Sequence, residues 1–165
     1  NLDEKKYILF TIHRQENINN DTLTEILNSM LKLSRKIKII FPVHPRTKKL
    51  IEFLKIKIEK NSNFQMISPF GYIDTLCAIK NSKIVITDSG GIQREAYFFN
   101  KFSIIIRNET EWIEILKQKS SILVNPRDIC FAYDKFSHQK LNNKNIIFGN
   151  GKAAKKIANF IESLS

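Results

Sequence analysis

Lys83-Ile84-Val85-Ile86-Thr87-Asp88-Ser89-Gly90-Gly91-Ile92-Gln93-Arg94-Glu95-Ala96-Tyr97-Phe98-Phe99 reads as a strand that runs through a glycine corner into a helix. Lys83 to Thr87 is a short, β-branched apolar run of the kind that forms a buried strand, and Ile92, Ala96 and Phe99 then recur at helical spacing. A strand followed at once by a helix must cross over before it meets a parallel neighbour, so this unit alone predicts an α/β layer.

The same alternation extends in both directions. Further short apolar runs stand at Tyr7 to Ile12, Ile37 to Val43, Phe64 to Ile67, Phe102 to Arg107 and Ser121 to Val124. Between them, Leu23, Ile26, Leu27, Met30 and Leu31 predict a helix from Asp21 to Lys36, with Thr22 and Glu25 as a capping box. Leu50, Phe53 and Leu54 mark a second helix after Pro45, and Tyr72 to Lys80 a third. Glu109 to Gln118 reads as a helix capped by Asn108, and the last helix follows Gly151 with Ala154, Ile157, Ala158 and Ile161 as its buried stripe. Strands that are continuously apolar imply a sheet covered on both faces. The expectation is one Rossmann-like domain over residues 1–165, a three-layer α/β/α sandwich around a parallel sheet.

At 165 residues and 42% hydrophobic the chain has the length and the apolar content of one domain. No stretch approaches the roughly 20 apolar residues that span a bilayer, and the charged start Asn1-Leu2-Asp3-Glu4-Lys5-Lys6 does not open a secretory signal, which points to the cytoplasm and away from the membrane. Cys77 and Cys130 lack C-x-x-C spacing, so they read as reduced structural thiols and no metal site is expected. The formal net charge of +11 suits an anionic partner. The lysines are scattered and no nucleic-acid motif accompanies them, so no nucleic-acid partner is expected.

Parallel sheets bind ligands at the carboxyl ends of their strands, and four such ends here are polar. The first is His13-Arg14-Gln15-Glu16-Asn17 and the second His44-Pro45-Arg46. Either histidine alone reads as a satisfied core residue, whereas two at one sheet edge point to function. The third is the glycine corner. Gly90 and Gly91 let a ligand approach the backbone, and the free N–H groups of a helix start favour an anion such as a diphosphate. Glu95, a turn and a half into the helix, can accept two hydrogen bonds from vicinal hydroxyls such as those of a ribose. An ordinary N-cap at Ser89 is the structural alternative. The fourth is Arg107, whose guanidinium can fork onto a phosphate or merely pair with a surface carboxylate. Gly149-Asn150-Gly151-Lys152-Ala153-Ala154, after the apolar Ile146 to Phe148, is superficially like a dinucleotide fingerprint. The chain ends before the following strand and acidic residue that NAD would require, so NAD is rejected.

These segments resemble one family, the UDP-N-acetylglucosamine 2-epimerases, non-hydrolysing and related. Ile12-His13-Arg14-Gln15-Glu16-Asn17 looks like its H-R-x-E-N and Pro42-Val43-His44 like its P-V-H. Pro69-Phe70-Gly71-Tyr72, Thr87-Asp88-Ser89-Gly90-Gly91-Ile92-Gln93 and Arg107-Asn108-Glu109-Thr110-Glu111 continue the match, and Gly149 to Ala154 resembles its closing G-D-G-x-A-A. The resemblance covers nearly the whole chain and is to the C-terminal domain of a two-domain enzyme of glycosyltransferase-B architecture.

The resemblance implies that uracil lies near Phe70, the ribose on Glu95, and the phosphates on Ser89, Gly90, Gly91 and Arg107, with His13 as the catalytic residue facing the reacting sugar or its leaving phosphate. It implies a UDP-sugar substrate, no cofactor, a homodimer in the full-length enzyme, and an activator site at Arg14, Glu16 and His44. It also implies elimination of UDP to a glycal and re-addition after proton exchange at C2. The acidic residues that move that proton belong to the N-terminal domain, which is absent, so the chain alone should bind UDP and epimerise nothing. Gln15, Trp112 and Thr75 depart from the family's commonest pattern, and the last two look more like the branch acting on UDP-2,3-diacetamido uronic acids. The nucleotide domain of a glycosyltransferase, or a non-catalytic UDP-sugar-binding remnant, are the alternatives.

Overall fold

A computed structural model describes residues 6–56, 58, 63–141 and 147–164. The strands are β1 (Tyr7–Thr11), β2 (Lys38–Pro42), β3 (Phe64–Ile67), β4 (Ile84–Thr87), β5 (Ser103–Ile106) and β6 (Ser121–Val124). The helices are α1 (Asn20–Ser34), α2 (Pro45–Phe53), α3 (Tyr72–Asn81), α4 (Gly90–Phe98), α5 (Ile113–Lys117), α6 (Ile129–Phe136) and α7 (Ala153–Glu162). Together the strands make one six-stranded sheet in the order β3-β2-β1-β4-β5-β6. Every pairing is parallel, with Ile8 against Ile39 on one side of β1 and Ile84 on the other. The order reverses between β1 and β4, and a crevice for a ligand opens at such a reversal.

Alternation along each strand explains why the runs are apolar throughout. Ile8 and Phe10 of the first strand and Ile12 just after it, with Ile39, Phe41, Ile84 and Ile86, face a layer built from α1, α2 and α6. Tyr7, Leu9, Ile40 and Val85 face the opposite layer, where Ala78 and Ile79 of α3 and Ala96 of α4 complete the core. Each fully buried Ile, Leu or Phe contributes about 1.5–3 kcal/mol of transfer free energy, which makes this sheet a rigid platform for its loops. Phe10 and Phe41 touch with ring centroids 4.5 Å apart, and Phe102 stacks on Phe136 at 4.8 Å. The Tyr7 hydroxyl donates to the Ala78 carbonyl at 2.7 Å, and burial pushes its pKa up to about 12.

Several local expectations are corrected. Helix α1 is capped by Asn19, whose side chain accepts from the Thr22 N–H, so Thr22 receives the cap instead of providing it. The helix from Glu109 to Gln118 shrinks to Ile113–Lys117 because residues 110–112 are held elsewhere. Thr110 donates to Gln93 and Glu111 pairs with two arginines, which pulls this stretch out of helical conformation. Helix α6 was not expected, although Ile129, Ala132, Tyr133 and Phe136 carry helical spacing. Cys77 is exposed and Cys130 half-buried, and neither is in a disulfide; Cys130 Sγ donates to the Ser29 carbonyl at 3.4 Å.

The largest correction concerns α7. The helix forms after Gly149 and Gly151, whose φ values of 80° and 78° suit glycine. Its apolar stripe is not buried, and Ile157, Phe160, Ile161 and the following Leu164 are all exposed. A stripe can exist in the sequence without anything in the described structure to cover it. Residues 142–146 lie outside the described residues.

Candidate functional site

Asp88 follows β4 directly, at the point where the strand order reverses, and is 0% exposed. A carboxylate removed from water needs partners, and those of Asp88 come from the loop after β1. It accepts the His13 N–H at 3.0 Å, the Arg14 N–H at 2.9 Å and the Asn17 amide at 3.1 Å. Its carbonyl accepts Arg14 Nε at 3.0 Å. One layer below, the Thr11 and Thr87 hydroxyls share a hydrogen bond of 2.7 Å. Asn17 also donates to the Ile106 carbonyl at 3.0 Å, tying the same loop to β5. Asp88 and Asn17 stood inside recognisable segments without an assigned role; an acid immediately after a central strand is the signal that would have found Asp88.

This clamp fixes the backbone of His13. His13 and His44 are both exposed at the carboxyl ends of neighbouring strands and line one hollow with Gln15, Ile18, Arg46 and Thr47. His44 also starts α2, where its Nδ1 accepts the Arg46 N–H at 3.3 Å and Pro45 fills the first helical position. Arg14 and Glu16 turn the other way, into a second hollow with Asn17 and Arg107. Arg14, Glu16 and His44 therefore do not share one cavity, because Asp88 and Glu111 draw the Arg14 guanidinium toward β5.

At the glycine corner, Ser89 is the N-cap of α4, its hydroxyl accepting the Ile92 N–H at 3.4 Å. Neither glycine adopts a positive φ, so their role is space. A β-carbon on Gly91 would meet only the Ser89 hydroxyl, at 3.7 Å. One on Gly90 would lie 2.9 Å from Glu111 Oε2 and 3.1 Å from Trp112 Nε1. The corner is thus open at Gly91 and faced by side chains at Gly90.

Arg107 is 8% exposed, which sets it apart from a solvated surface arginine. Its Nη1 donates to Glu111 Oε2 at 2.6 Å, and Arg14 Nη2 donates to Glu111 Oε1 at 2.8 Å. The Arg107 guanidinium, foremost, holds the Glu111 carboxyl down at about 2. Arg107 Nε and Trp112 Nε1 are buried without a hydrogen-bond partner among the described residues.

On the other side of the corner a cavity of about 140 Å³ is lined by Thr11, His13, Pro42, Phe70 and Ile92 among others. Glu95 stands one helical turn beyond Ile92 and one before Phe99, on the face of α4 that meets Phe70. Burial pushes the Glu95 carboxyl up from its ordinary value. The assembly offers a ring-sized slot, a half-buried carboxylate, free backbone N–H groups at a helix start and a buried guanidinium. Planar base, diol and anion are the groups that such a set recognises. Among the described residues no group of three or more His, Cys, Asp or Glu side chains is placed to hold a metal, and no helix is long and apolar enough to cross a membrane.

Residues 1–162 match the family described as UDP-N-acetylglucosamine 2-epimerase. A UDP-N-acetylglucosamine 2-epimerase of Methanococcus maripaludis is 40% identical over 166 residues, covering 95% of this chain and 44% of the relative. A UDP-2,3-diacetamido-2,3-dideoxy-D-glucuronate 2-epimerase of Pseudomonas aeruginosa is 34% identical over 162 residues, covering 96% and 45%. The crystal structure of Methanocaldococcus jannaschii UDP-GlcNAc 2-epimerase in complex with UDP-GlcNAc and UDP superposes with a TM-score of 0.86 at 32% identity, covering 97% of this chain and 46% of that one. The chain spans about half the length of the curated relatives it matches. With a family match along nearly its whole length and the same fold in a solved member, the chain belongs to the UDP-N-acetylglucosamine 2-epimerase family.

Proposed function

We propose that this chain is the UDP-binding half of a UDP-sugar 2-epimerase. The observation that carries the reading is the convergence, at the reversal point of the sheet, of a glycine-opened helix start, a buried arginine and an aromatic slot. Uracil lies against Phe70 and the ribose hydroxyls donate to Glu95. The diphosphate accepts from Ser89, the backbone of Gly90 and Gly91, and Arg107. His13 faces the sugar or its departing phosphate. The neighbour from M. jannaschii, solved with UDP-GlcNAc and UDP, supports a nucleotide of this class.

In the proposed reaction the C1–O bond breaks and UDP leaves with the electron pair while a base removes the C2 proton, giving a glycal. Re-addition of a proton to the opposite face of C2 and of UDP to C1 completes the inversion, without net oxidation. This half binds and neutralises the leaving group; donors fixed where charge develops favour the elimination. The acids that move the C2 proton belong to a companion half, whose length is accounted for by relatives about twice as long as this chain. The uncovered stripe of α7 is where that half docks. The substrate is a UDP-2-acetamido sugar, and the full-length enzyme is a cytoplasmic homodimer.

The test is incubation of the two-domain enzyme with UDP-GlcNAc, and separately with the diacetamido uronic acid nucleotide, in deuterated water. Deuterium at C2 of either is the expected result. A glycosyltransferase would leave C2 unlabelled, and that outcome in both overturns the reading.

A further inference from the structure

Glu111 has a half-exposed side chain, yet its carboxylate lies over the first turn of α4. Its two oxygens take Arg107 Nη1 at 2.6 Å and Arg14 Nη2 at 2.8 Å. The approach exists only because position 90 has no side chain, since Oε2 would stand 2.9 Å from a β-carbon there. Two guanidiniums beside the start of a nine-residue helix are what an oxyanion of a diphosphate would take. The glutamate does not exhaust them, because Arg107 Nε stays buried and has no hydrogen-bond partner among the described residues.

We propose that Glu111 is an internal stand-in for phosphate, occupying the arginine pair when no nucleotide is bound and being displaced by the nucleotide's diphosphate. This rests on the nucleotide seat proposed above and adds a competitor built into it. Leaving Glu111 in place would set a carboxylate against a diphosphate, and like charges at contact are strongly unfavourable. Its outward path is short, because the side chain already borders solvent on the loop between Arg107 and α5. A ligand that must first empty its seat binds more weakly, in proportion to the fraction of time the seat is free. Uridine, which has no phosphate, carries no such penalty.

Calorimetry of UDP and of uridine against the wild-type chain, Glu111→Gln, Glu111→Ala and Arg107→Ala tests this. UDP should bind both Glu111 variants more tightly than wild type, on the order of tenfold, with uridine unchanged. UDP binding equal to or weaker than wild type in both variants overturns the stand-in and leaves the nucleotide seat intact, with Glu111 then holding the arginines in place. UDP affinity unchanged in Arg107→Ala overturns the seat itself and the stand-in with it. A second readout needs no variant, because Trp112 is the sole tryptophan and its indole lies against the same corner. UDP should shift its emission and uridine should not; equal responses to the two overturn the displacement.

Discussion

Asp88 grips Arg14 twice, through its carboxylate to the Arg14 N–H at 2.9 Å and through its carbonyl to Arg14 Nε at 3.0 Å. A buried acid therefore fixes both the backbone and the guanidinium of a residue on a different strand end. The same carboxylate holds the backbone of His13 and the amide of Asn17, so the edge where the ligand is proposed to sit is built around Asp88.

Asp88→Asn turns one acceptor oxygen into a donor that faces other donors. Unsatisfied buried groups cost about 1–3 kcal/mol each, so denaturant unfolding should show a loss of at least that size. UDP affinity should fall with it, since His13 and Arg14 lose their anchor. Wild-type stability in Asp88→Asn would mean that the clamp is dispensable.

The two glycines should separate under substitution. Gly91→Ala makes only an ordinary contact with the Ser89 hydroxyl at 3.7 Å and raises helix propensity, so stability should stay level or rise by about 0.5 kcal/mol while UDP affinity falls because the β-carbon blocks the ligand's approach. Gly90→Ala forces Glu111 and Trp112 to move and should lower stability by about 1 kcal/mol. Paired thermal melts and UDP titrations distinguish the two patterns.

Acid should act on Glu111 and Glu95 in opposite senses. The folded pKa of Glu111 is depressed from 4.5 to about 2, so its contribution to stability is complete above 4.5 and is lost as pH falls toward 2. Its half-exposed side chain keeps that contribution modest. Glu95 is raised by burial, so its ionisation above its unfolded value works against folding. Glu95→Gln should accordingly be slightly more stable than wild type at neutral pH, and Glu111→Gln should flatten the acid limb of the stability curve below pH 4.5.

Phe160→Ser with Ile161→Ser on α7 should leave the melting temperature of this chain unchanged, because both side chains are exposed. Association with the companion half, followed by analytical ultracentrifugation, should be lost. Unimpaired association would show that the stripe is not the docking face.

The sheet was legible because each strand is buried on both faces, which writes itself as an unbroken apolar run such as Ile84-Val85-Ile86. Helix ends were less legible where side chains at the site outcompeted local propensity. Glu109 to Trp112 has helical composition, but Glu111 and Thr110 are held by Arg14, Arg107 and Gln93, partners remote in sequence apart from Arg107. The strand-end position of His13, His44, Ser89, Gly90, Gly91 and Arg107 followed from the order of elements. The division of Arg14 and Glu16 from His44 did not, because it depends on which way one guanidinium turns. The amphipathic stripe of α7 is legible in the sequence and its exposure is not, since periodicity reports a face and not its partner.

Calorimetric titration of UDP into this chain, with Glu95→Ala beside it, bears on the nucleotide seat without need of the companion half. Wild type should bind UDP and Glu95→Ala should bind it at least roughly tenfold more weakly, with the loss seen equally for uridine because the ribose is common to both. Equal affinity of the two proteins for UDP, or no binding by wild type, would contradict the assignment of α4 and its glycine corner to the nucleotide.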